Sequence, residues 1–192
     1  MKKYALNLFV ILTALLLTSC GYNSMVSKEE TITGKWAQVE NQYQRRADLI
    51  PNLVNTVKGY ADFEKGTLTQ VMEARAKATQ VRIDPGDLSP ENIQKFQAAQ
   101  DQLGSSLGRL LAVAEAYPNL KANEGFQDLR VQLEGTENRI AVARQDFNTS
   151  VQDYNTYVRS FPNNLFAGLF GFKQKGYFQA QPGSEKVPEV TF

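Results

Sequence analysis

From Tyr22 onward, apolar side chains return at alternating steps of three and four. One series runs Tyr22, Trp36, Tyr43, Ile50, Val57, Val71 and Ala78, broken by Glu29 and Glu64. Its companion runs Met25, Ile32, Val39, Leu53, Tyr60, Ala74 and Val81, broken by Arg46 and Thr67. A seven-residue repeat lays one apolar stripe along a helix, so the spacing predicts one long amphipathic helix with a coiled-coil-like seam. Pro51 removes a rung of its hydrogen-bond ladder, yet the phase passes through unchanged, which favours a kink over a reversal.

Asp84-Pro85-Gly86-Asp87 ends this segment, and Ser89-Pro90-Glu91 reads as the N-cap and acidic first turn of a second helix. That helix carries Ile93, Phe96, Leu103, Leu107, Leu110, Ala114 and Tyr117 on its stripe, with Gln100 the exception. Gly104 and Gly108, one turn apart, are expected to let helices approach closely. A third helix over about 123–161 bears Phe126, Leu133, Ile140, Phe147, Tyr154 and Phe161 every seven residues, with Asn148 and Asn155 as hydrogen-bonders at the seam's edge. Short turns make successive helices antiparallel neighbours. The expected fold is all-α: an elongated antiparallel up-and-down bundle.

Equal folding about 82–90 places the RRADLIPNL segment (45–53) level with YPNLKAN (117–123), and Glu73 within ion-pair reach of Arg144. Residues 22–43 then project beyond the second helix with an apolar seam uncovered, which predicts self-association unless a broken first helix folds back over it. The apolar, glycine-punctuated stretch 162–172 is expected to fold against one bundle end. Residues 173–192 read as a flexible tail.

The start of the chain carries a different pattern. Met1-Lys2-Lys3 precedes the apolar run Ala5–Leu17, and Leu17-Thr18-Ser19-Cys20 follows. Thirteen helical residues reach about 20 Å against a hydrocarbon core of about 30 Å, the length of a signal-peptide core and too short for a span. The LTSC sequence resembles a bacterial lipobox. It predicts cleavage after residue 19 and acylation of Cys20 by several chains, enough for stable anchoring. The protein is then lipid-anchored in the cell envelope, on a periplasmic or extracellular face, with Gly21 after the cysteine favouring the outer membrane in a Gram-negative host. An uncleaved single-pass protein is the alternative.

Composition narrows the chemistry. Loss of Lys2 and Lys3 on cleavage leaves 19 basic against 20 acidic side chains, a balance that does not suit nucleic acid as a main partner. There is no histidine and only one cysteine. Disulfides, Cys/His metal sites and His-based nucleophile activation are therefore excluded, leaving only carboxylate chemistry for an enzyme. No cofactor-binding fingerprint occurs.

Six stretches together resemble the LemA family of bacterial envelope proteins. They are Tyr22-Asn23 with Trp36; Gln44 to Val54 (QRRADLIPNLV); Glu73-Ala74-Arg75; Glu115 to Ala122 (EAYPNLKA); Glu134 to Ala141 (EGTENRIA) with Arg144; and Phe170-Gly171-Phe172. The resemblance covers nearly the whole mature chain. It implies an up-and-down four-helix bundle over 20–172, with the first helix divided near Pro51 or within Gly59–Gly66, and no established catalytic activity. Members commonly keep an amino-terminal transmembrane helix, from which Cys20 departs.

Arg45, Arg46, Asp48, Pro51, Asn52, Glu115, Tyr117 and Asn119 form the candidate polar cluster, either an interaction site or internal structure. For Arg46, which falls on the seam, an ion-pair layer inside the bundle is the favoured reading, and Glu64 shares it. No catalytic residue, metal ligand or cofactor is expected. A lipid-anchored scaffold binding itself or other envelope proteins is the first functional expectation; a regulator of envelope proteolysis or stress signalling is the second. The terminal Glu189-Val190-Thr191-Phe192 has the pattern a PDZ groove accepts, with Val190 and Phe192 as its side-chain anchors. A PDZ-containing envelope protease is therefore a candidate partner.

Overall fold

A computed structural model describes the backbone of residues 2–59 and 64–180, and the side chains of 21–59 and 64–180. Within these, α1 spans Lys2–Lys58, α2 Lys65–Gln80, α3 Pro90–Ala114, α4 Pro118–Lys121, α5 Glu124–Arg159 and α6 Asn163–Phe170. The four long helices form the up-and-down bundle that the heptads predict. Asn123 caps α5, its side chain accepting from the Phe126 N–H at 2.9 Å. Ser89 and Pro90 start α3 by conformation alone, with no side-chain capping bond.

The favoured kink gives way to the alternative. Helix α1 passes through Pro51 without a break, and the chain reverses after Lys58, so α2 is a separate helix. The heptad phase survives because both arms of this hairpin bury the same stripe: Leu53 and Val57 on α1, Val71, Ala74 and Ala78 on α2. Glu64, expected on the seam, is exposed before α2 and accepts from Thr67 Oγ1 at 3.0 Å.

Helices α1 and α5 run antiparallel, fixed by Lys35–Asp146 at 2.7 Å and Arg46–Glu137 at 2.9 Å. Helix α3 lies parallel to α1, with Gln100 level with Arg46. This register differs from the expected one. Arg109 meets Gln70, about two turns beyond the residue that symmetric folding would place there. The connection draws Ile83 and Leu88 into the core, so it uses its length along the bundle axis and not in a tight bend. Leu53 and Val54 do share a core with Leu120 and the partly buried Tyr117. By helical rise, however, Tyr117 lies about 18 Å below Pro51, level with the α1–α2 reversal.

The core has two halves. An upper cluster joins Met25, Ile32, Trp36, Val39 and Tyr43 to Phe96, Phe147, Val151, Tyr154 and Phe178. A lower cluster joins Ile50, Leu53 and Val57 to Val71, Leu103, Leu110, Leu120 and Leu133. The seam of residues 22–43 is thus covered from within the chain by α5, the start of α3 and residues 175–178. The expected need for a second copy to cover it is removed.

Candidate functional site

Arg46 lies between the two core halves and is 3 % exposed. Its Nη1 donates to Glu137 Oε1 at 2.9 Å, and its Nη2 to the carbonyl and side-chain oxygens of Gln100 at 3.0 and 2.7 Å. The guanidinium also sits over the Tyr43 ring, 5.0 Å from its centroid. Gln100 Nε2 continues the network to the Ala78 carbonyl at 3.3 Å, one of the last four of α2 that have no helical partner. One buried cation therefore ties together all four long helices. Gly104 belongs here: a Cβ at that position would lie 3.7 Å from Arg46 Nη1. The expected close helix approach at Gly104 and Gly108 is absent, since a Cβ at Gly108 would meet nothing within 4 Å. Both glycines line an open groove between α3 and α5 with Leu107, Leu111 and Leu133.

Pro51 also acquires a partner. It has no N–H, so the Ala47 carbonyl four residues earlier loses its helical bond. Arg75 Nε, from α2, donates to that carbonyl at 2.7 Å. The remaining residues of the polar cluster are dispersed. Arg45, Asn52 and Asn119 are exposed, and Asp48 accepts from Gln44 at 2.7 Å one turn away. Glu115 bridges Lys121 and Arg130 at 2.8 and 2.9 Å at the lower end, and the bond from Lys121 holds its carboxyl below the usual range. The pair Glu73–Arg144 does not form. Glu73 lines a groove between α2 and α3, whereas Arg144 donates to the Gln179 carbonyl at 2.9 Å and covers the Phe178 ring.

These contacts reveal the feature that the sequence reading missed. Residues 173–180, expected as the start of a flexible tail, form an extended strap between α3 and α5. Three carboxamides hold it, each exchanging two hydrogen bonds with the backbone of one strap residue. Asn155 pairs with Lys175 (2.9 and 2.9 Å), Asn148 with Phe178 (2.9 and 2.9 Å) and Gln97 with Gln179 (2.8 and 3.0 Å). The pattern copies an antiparallel strand pair, with side chains supplying the second strand. Gly176 donates its N–H to the Leu88 carbonyl at 2.8 Å, and a Cβ there would stand 2.6 Å from Pro90 Cα. Only glycine fits. Phe178 enters the upper core, stacked on Trp36 and edge-on to Phe96 and Phe147. Lys175 is buried, with its ammonium 2.6 Å from Glu29. The seven-residue spacing of Asn148 and Asn155 was the available signal, but it does not name the acceptor.

Burial raises the Tyr43 hydroxyl, against the opposing charges of Arg144 and Arg46, and burial likewise pushes Tyr154 far up. Among the described residues no cluster of carboxylates or thiols could hold a metal ion, and no helix is long and apolar enough to cross a membrane. Cys20 and the Val190–Phe192 pair lie outside the described side chains.

Magnetosome protein MamQ 2 of Paramagnetospirillum magneticum is 28% identical over 187 residues, 88% of this chain and 68% of the relative. Magnetosome protein MamQ of Magnetospirillum gryphiswaldense is 27% identical over 203 residues, 97% of this chain and 73% of the relative. Protein LemA of Metamycoplasma hominis is 23% identical over 158 residues, 82% and 68% of the two chains. The LemA family model matches residues 35–192, which takes in the Arg46 layer, the Pro51–Arg75 contact and the whole strap, and the chain belongs to the LemA family.

Proposed function

We propose that this chain is a non-catalytic scaffold of the bacterial cell envelope, anchored through lipid on Cys20 with its bundle on the periplasmic or extracellular face. The observation that carries this reading is where six buried or half-buried polar side chains are used. Arg46, Gln100, Arg75, Asn148, Asn155 and Gln97 all bind other parts of the same chain. The apolar run Ala5–Leu17 and the lipobox-like LTSC directly precede the part of α1 that packs in the bundle. Cys20→Ser tests the anchor by detergent phase separation of whole-cell extracts. The variant is expected in the aqueous phase; partition with membranes as an uncleaved precursor refutes lipidation in favour of a span.

A second reading, an adaptor for envelope proteolysis, draws on the strap. It fixes Gln179 beside Gln97 and Arg144, roughly 25–35 Å from the level of Cys20 by helical rise. Residues 181–192 continue from that point, ending in Glu-Val-Thr-Phe. Binding of a peptide ending in EVTF to the host's periplasmic PDZ domains, with loss on carboxyl amidation, is the expected result. Equal affinity of the two forms, or none, ends this reading. Crosslinking in intact cells separates the functions: a scaffold returns itself and abundant envelope proteins, an adaptor a protease.

A further inference from the structure

The upper end of the bundle carries an apolar surface that the interior does not use. Phe161, Leu165, Leu169 and Phe170 are 81, 63, 76 and 51 % exposed. Leu165 and Leu169 stand one turn apart on one face of α6, while Ala167 is buried and Phe166 partly so on the bundle side. The stretch 161–172 (FPNNLFAGLFGF) holds no charged residue and is bracketed by the exposed cations Arg159 and Lys173.

The position of this surface identifies its occupant. Tyr22 packs edge-on against Phe170 and Phe172, at 5.1 and 5.6 Å between ring centroids. The start of α6 comes so close to α1 that a Cβ on Gly21 would lie 3.5 Å from Asn163 Oδ1. Cys20 and the apolar run ending at Leu17 adjoin these residues in sequence, at most about 8 Å of helix away. Lipidated at Cys20 or spanning through residues 5–17, the chain meets the bilayer at this end. We infer that the exposed face of α6, with Phe161, docks into the interfacial layer of the same membrane, Arg159 and Lys173 reaching its phosphate headgroups. Apolar side chains flanked by cations suit that boundary. The docking rests on the membrane anchoring proposed above. It turns a single tether into two contacts and fixes how the bundle stands on the bilayer.

The test uses the full chain with its native anchor, reconstituted in phosphatidylethanolamine–phosphatidylglycerol vesicles with and without nitroxide-labelled lipid. An environment-sensitive fluorescent amino acid replaces Leu169, or Val142 on α5 as a control exposed to water. Docking predicts blue-shifted emission at 169, quenched by the nitroxide lipid, and neither effect at 142. Adding Leu165→Asp should abolish both effects at 169 while the protein still floats with the vesicles. Water-like emission at 169 in protein that floats overturns the docking and leaves the anchor intact. A blue shift that nitroxide lipid does not quench also overturns it, assigning the face to a second copy of the chain. Failure to float refutes the anchor, and the docking with it.

Discussion

Pro51 and Arg75 show how one residue's defect becomes another's role. A proline within a helix leaves a carbonyl without a donor, and burying that carbonyl costs free energy unless something replaces the lost N–H. Arg75 replaces it from a neighbouring helix, so the two positions are energetically coupled. Arg75→Leu is expected to cost about 1–3 kcal/mol in the parent chain. In a Pro51→Ala background the new N–H can serve Ala47 itself, and the same change should cost about 1 kcal/mol less. Urea unfolding of the four variants measures the coupling. Additivity within about 0.3 kcal/mol would mean that the Arg75 bond contributes nothing specific.

At the level of elements, the strap completes a core that the helices leave open. Helix α2 ends at Gln80, and α3 begins only at Pro90, so Trp36 would face solvent on one side without Phe178. A buried extended segment needs partners for its backbone groups, and the three carboxamides with the Leu88 carbonyl provide them. Phe178→Ala is expected to cost about 3–5 kcal/mol, as for other buried aromatics. Trp36, the only tryptophan, should then emit at longer wavelength. Gly176→Ala should give the same red shift without removing any apolar group, because its methyl cannot fit against Pro90. Unchanged emission in both variants would show that the strap does not shield Trp36.

Across the whole molecule, the Arg46 layer divides an elongated core into halves that must nevertheless act together. Its weak point is Gln100, which serves the buried guanidinium and the end of α2 at once. Gln100→Leu is expected to cost about 1–3 kcal/mol, because it leaves the Ala78 carbonyl without its donor and Arg46 Nη2 with only the Gln100 main-chain carbonyl as acceptor. Glu137 is about half exposed (48 %), so Glu137→Gln should cost about 1 kcal/mol or less. Hydrogen exchange adds a spatial readout. In the Gln100 variant the amides around Leu53 and Leu103 should open separately from those around Trp36 and Phe147, whereas the parent opens as one unit. Equal loss of protection in both halves would count against the layer as the joint between them.

The seven-residue stripes determined the helical class, the antiparallel order and most buried positions, because a helix can bury only the face that its own period supplies. A helix beginning near Asn123, Pro90 as a first helical residue and Arg46 inside the bundle were legible from equally local signals. Three things depended on the assembled molecule. Heptad phase is the same for one long helix and for two arms of a hairpin, so the reversal after Lys58 left no trace in the pattern. Register depended on a connection that packs Ile83 and Leu88 lengthwise, which no count of helical rise contains. The strap has no period at all: Lys175, Phe178 and Gln179 lie up to 82 residues from their carboxamide partners, and only the folded bundle brings them into one groove.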